Sequence, residues 1–108
     1  MKMKLLDMFI KEYLLILKGL ENKQPIENNR IMVDKSHFRE LLERYNYIGF
    51  NQKTKLYKKL GFILHDNKSY TLPCKDKELN KTVRKVVFDY DVYTTIKYLN
   101  DTELDLEN

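Results

Sequence analysis

The sequence predicts an α+β domain of three or four helices with a small antiparallel β-sheet. Three observations predict it. Apolar residues recur at helical spacing in four separate stretches, the spacing turns alternating immediately after Gly61, and a β-branched run, "VRKVVF", lies near the C-terminal end. At 108 residues the chain has room for one core, and 43% hydrophobic against 33% charged residues decides against a disordered chain. Residues 1–100 are assigned to one domain, and residues 101–108, "DTELDLEN", to an acidic tail expected to fray.

The first element is an amphipathic helix in "MKLLDMFIKEYLLILKGL", with Leu6, Phe9, Tyr13, Ile16 and Leu20 inward, Lys4, Asp7, Lys11 and Lys18 outward, and Gly19 as its expected end. "ENKQPIENNR" reads as a loop, and Ile31 to Val33 as an edge strand. Asp34 or Ser36 caps a second helix carrying Phe38, Leu41, Leu42 and Tyr45 at i, i+3, i+4 and i+7. After "NYIGF", Asn51 offers a cap for a third helix, with Leu56 and Leu60 inward and Gly61 closing it. "FILH", "DNKS" and "YTLPC" predict a β-hairpin turning at Asp66 and Asn67; the polar loop "KDKELNKT" then leads to a third strand in "VRKVVF". Asp89 or Asp91 caps a last helix bearing Val92, Ile96 and Leu99.

Net charge is +4, yet residues 1–100 hold 20 bases against 12 acids, because the last eight residues carry four acids and no base. A basic body of this size favours a polyanionic partner. No apolar run is long enough to span a bilayer, so no membrane partner is expected. The single cysteine, Cys74, fits a reducing compartment and a cytoplasmic location.

The order helix, helix, hairpin, strand, with "HFRELLERY", "NQKTKLYKKLGFI", "LHDNKSYTL" and "VRKVVFDYDVY" in that sequence, resembles the winged helix-turn-helix domain over roughly residues 31–98. The basic helix running into "LGFI" and then "SYTL" looks like the small winged-helix modules of replication proteins from phages, plasmids and other mobile elements. The resemblance implies a non-enzymatic DNA-binding protein acting in mobile-element replication or maintenance. A replication protein is then a possible partner.

On a helical wheel, Lys53 and Tyr57 fall beside Leu56 and Leu60, while Thr54, Lys55 and Lys58 project outward with Lys59 and Asn51 at the margins. Lys53, Lys55, Lys58 and Lys59 are the candidate phosphate ligands, and Asn51 and Gln52 the candidate base readers. The bland alternative is that these lysines only keep a short helix soluble. Tyr47, Tyr57 and Tyr70 are candidates for stacking on unpaired bases, which tips the expectation toward single-stranded DNA over duplex. Lys68 in the predicted hairpin tip (Asp66 to Ser69), and Arg84 and Lys85 on the third strand, would extend the contact. A duplex-binding regulator, or a protein-protein inhibitor on the same scaffold, are the competing expectations.

No catalytic residue, metal site or cofactor is predicted. His37 and His65 lack neighbours at ligand spacing, Asp89 and Asp91 are explained by capping, and no glycine-rich phosphate loop exists. The first helix, with Leu14, Leu15 and Leu17 added to its apolar stripe, offers more apolar surface than a small core needs; either the excess is simply buried in the core or it is a homodimer or replication-partner contact.

Overall fold

The computed structural model describes residues 4–102, so positions 103–108 of the predicted acidic tail lie outside the described residues. The fold is α+β, with four helices and a four-stranded antiparallel sheet: α1 (Leu5–Lys23), β1 (Arg30–Val33), α2 (Lys35–Leu42), α3 (Phe50–Lys59), β2 (Ile63–Leu64), β3 (Leu72–Asp76), β4 (Lys81–Asp89) and α4 (Tyr90–Asp101). Among the described residues, no helix is long and apolar enough to cross a membrane.

The sheet is organised by β4. Its C-terminal half pairs with β1, in the register Ile31 to Phe88, and with β2, in the register Ile63 to Phe88. Its N-terminal half pairs with β3, from Leu72 opposite Lys85 to Asp76 opposite Lys81. The hairpin is therefore β3–β4, and not the pair predicted to turn at Asp66 and Asn67. Both turns carry the same local device. Asp66 Oδ1 accepts from the Lys68 and Ser69 amides, and Asp76 Oδ1 accepts from the Glu78 and Leu79 amides. Only the second turn returns the chain onto its neighbour, helped by Asn80 at φ 50°. The first remains a loop, since β2 pairs with β4 and not with β3, and Arg84 of β4 holds Asp66 within it.

One face of α1 covers the sheet and the α2–α3 pair. Phe9, Tyr13, Ile16, Leu17 and Leu20 meet Ile31, Val33, Phe38, Leu42, Phe62, Ile63, Val86 and Phe88 in one core. Its centre is aromatic: the Phe62 ring stacks 3.8 Å from Tyr13, and Tyr57 meets Phe9 edge-on at 5.3 Å. The helix runs through Gly19 to Lys23, since a single glycine costs only about 1 kcal/mol inside a helix and Leu20 is buried beyond it. Leu6, expected inward, is 65% exposed because the core ends at Phe9.

The end of α3 explains how Phe62 is placed. The Phe62 amide donates to Tyr57 O at 3.0 Å and the Gly61 amide to Lys58 O at 3.2 Å, with Gly61 at φ 75°. This left-handed stop, which a side chain would strain, folds Phe62 back onto Tyr57 with ring centroids 5.6 Å apart. At the other end of the chain β4 passes into α4 without a loop, capped by Asp89, whose Oδ1 accepts from the Val92 amide at 3.2 Å.

Candidate nucleic-acid interface

Helix α3 begins at Phe50, with Gly49 as its N-cap in place of Asn51. The Gly49 amide donates to the Gln52 side-chain oxygen at 2.9 Å, which orders the first turn. Its inward side is centred on Lys53, Thr54 and Tyr57, with Phe50 and Leu56 packed at the edge of the core and Leu60 turned away from it. Leu60 is 47% exposed, and Leu56 is half-buried. The helix is thus rotated relative to the predicted wheel, because the ring of Tyr57 fills more of the core than either leucine.

That rotation removes three predicted contacts. Lys53 and Tyr57 are 0% exposed, and Thr54 is buried with its hydroxyl donating to Phe50 O at 2.9 Å. Lys53 cannot hold a phosphate and Tyr57 cannot stack on a base. The Lys53 ammonium instead donates to Glu12 Oε2 at 2.8 Å, Leu42 O at 2.6 Å and Tyr45 O at 2.7 Å, using all three protons. Leu42 ends α2 and Tyr45 follows it, so the cation satisfies carbonyls left open at that helix end and ties α3 to α2. The Tyr47 hydroxyl donates to the other Glu12 oxygen at 2.8 Å, while its ring sits 4.4 Å from the ammonium. Burial, and then this bond to Glu12, hold the Tyr47 phenol well above its ordinary range. Tyr47 is therefore a structural member of the α2–α3 turn.

What remains outward on α3 is coherent. Asn51, Gln52, Lys55 and Lys59 are exposed and Lys58 is partly so; together they span an arc of about 120° on the wheel, with no acid among them. Lys55, Lys58 and Lys59 make no ion pair within the described residues. Gln52 has its oxygen engaged by the Gly49 amide, so a bidentate reading of adenine is open only to Asn51.

The supporting residues divide as well. Tyr70 is half-buried against Phe38 and Phe50, with the Lys35 ammonium 5.9 Å from its ring. Arg84 donates to Asp66 Oδ2 at 2.6 Å, Thr71 Oγ1 at 2.9 Å and Thr71 O at 3.0 Å. It pins the loop between β2 and β3 and is not free for phosphate. The Arg84 hydrogen bond first, then the Lys68 amide, hold the Asp66 carboxyl below its usual range. Lys85 lies 3.7 Å from Asp34 at the start of α2. Lys68 is exposed on the pinned loop. His37 is half-buried on α2, and His65 faces solvent, Nδ1 3.0 Å from Asp66 O.

Sequence reasoning missed Glu12 and the true hairpin tip. Glu12 had a signal, since it stands between Phe9, Tyr13 and Ile16 on the buried stripe of α1, where a carboxylate needs a cation. The tip, residues 77–80, brings exposed Lys75, Lys77 and Lys81 to the hairpin's end. No family model matches this chain, and no curated protein matches it.

Proposed function

We propose that this is a winged-helix DNA-binding module that carries out no chemistry on its ligand and lays the outward face of α3 along a phosphate backbone. The observation that carries this reading is the acid-free array of Lys55, Lys58 and Lys59 beside Asn51, on the second helix of a helix-turn-helix followed by strands. In this reading β3 and β4 form the wing, and Lys75, Lys77 and Lys81 add charge at its tip.

The withdrawal of Tyr57 into the core, and the commitment of Tyr47 to Glu12, take away the stacking platform that favoured single strands. Duplex DNA is the better-supported ligand. Lysines bind phosphate as point charges and leave Asn51 as the one base reader on the helix, so sequence preference is weak. A setting in mobile-element replication or maintenance rests on the sequence resemblance.

Fluorescence anisotropy with labelled duplex and single-stranded oligonucleotides across a salt series tests this. Three phosphates neutralised by α3 give a log–log salt slope of about −3, and Lys55→Glu, Lys58→Glu and Lys59→Glu combined abolish binding. Equal affinity of the triple variant and the wild type, or salt-insensitive binding, removes the interface from α3.

A further inference from the structure

A second surface of the molecule is built on the outward side of α1. Buried Phe9, Tyr13, Ile16, Leu17 and Leu20 use one side of this helix. The rest of its surface leaves Leu6, beyond the end of the core, and Leu15 65% and 54% exposed, with Ile10 and Leu14 half-buried between them. These four line a groove of about 600 Å³ between α1 and α4, rimmed by Asp7, Lys11 and Lys18. None of the three rim residues forms an ion pair within the described residues.

The charges on this side have an internal symmetry. Asp7 and Lys18 are equidistant from the midpoint of the Glu12–Tyr13 peptide, and so are Lys11 and Leu14. Two copies of α1 packed antiparallel across a two-fold axis at that midpoint would set Asp7 against Lys18 of the second copy twice over. The methylene stem of Lys11 would lie along Leu14. Asp7 and Lys18 lie within about 20° of each other on the wheel, so both face the same partner. A parallel pairing in register would instead oppose Asp7 to Asp7 and Lys18 to Lys18.

We infer that the outward face of α1 is an isologous dimer contact, in which a second copy of this chain docks antiparallel with Asp7 on Lys18. A 19-residue helix offers a contact about 28 Å long, which is short for a protein interface, so the dimer is weak and reversible. This contact is independent of the nucleic-acid reading and involves none of its residues.

Sedimentation velocity on the full chain without nucleic acid, from micromolar to several hundred micromolar, reads it directly. The wild type shifts from monomer to dimer. Asp7→Lys and Lys18→Asp each weaken association by at least about tenfold, because each places like charges together twice, and the combined swap returns it close to wild type. Leu15→Glu abolishes the dimer independently of the pairing, and circular dichroism confirms that each variant is folded. A wild type that stays monomeric at every concentration overturns the inference. So does a double swap no better than its single variants.

Discussion

Lys53 and Lys55 stand two residues apart on the same helix, yet one is a structural bolt and the other a surface charge. The Lys53 ammonium has every proton placed on an oxygen of the protein and no exposed surface, whereas the Lys55 side chain faces solvent. A two-residue step turns a helix by about 200°, so the alternation is forced once the core selects which side of α3 faces inward. A buried cation is tolerable only when its partner charge and hydrogen bonds are supplied by other elements, here α1 and the end of α2, so it is chosen by the tertiary structure. An exposed lysine needs nothing from the fold and remains available to a ligand.

The contrast breaks most sharply at Lys53. Lys53→Met leaves the Glu12 carboxylate buried without its cation and frees the carbonyls of Leu42 and Tyr45, and is expected to cost about 3–5 kcal/mol in urea unfolding. Adding Glu12→Gln should recover at least half of that loss. A single variant as stable as the wild type would mean that the ion pair is replaceable by water.

The inward side also carries four phenols whose ionisation is opposed first of all by burial: Tyr13, Tyr47, Tyr57 and Tyr93, the last pushed up to about 12. The folded state holds these protons more tightly than the unfolded chain does. The stability they contribute is complete below the ordinary phenol value of 10.0, and it is lost as pH rises from there through the folded values. Phenolate absorbance followed beside far-ultraviolet circular dichroism should show these tyrosines ionising together with unfolding; ionisation well ahead of unfolding would contradict their burial.

Smaller effects sharpen the same division. The hydroxyls of Tyr13 and Tyr57 are buried with no hydrogen-bond partner among the described residues, so Tyr57→Phe or Tyr13→Phe is expected to raise stability by about 1 kcal/mol, measured by thermal or urea unfolding. Outward changes should barely register. Lys55→Ala, Lys58→Ala and Lys59→Ala together are expected to alter unfolding free energy by less than about 0.5 kcal/mol, while a salt-dependent affinity for duplex DNA falls. A large stability loss there would show that these lysines, too, serve the fold.

Much of this molecule was legible because local patterns suffice for it. The capping choice at the last helix settled on Asp89, Phe38, Phe62 and Phe88 are core, and the glycine after "YKKL" ends α3 in the expected place. The hairpin was misplaced because "HDNKS" and "KDKELNK" are both competent Asx turns, and the pairing of β2 and β3 each with β4, instead of with each other, is decided by the tertiary structure. The candidate site was read with its face turned, since Leu56 and Leu60 outrank a lysine in any hydropathy pattern. Nothing within α3 signals that Glu12, 41 residues earlier, will be buried opposite Lys53.

By itself, the sequence determined that four helices and an antiparallel sheet form, and that positive charge concentrates on the third helix, because periodicity, turn chemistry and composition act over neighbouring residues. Only the tertiary structure decided which of those lysines meets solvent and which tyrosines are withdrawn from it. Burial and ion pairing are settled by residues distant in the chain, and an ammonium group goes to the interior only where the assembled fold supplies a carboxylate and open carbonyls to receive it.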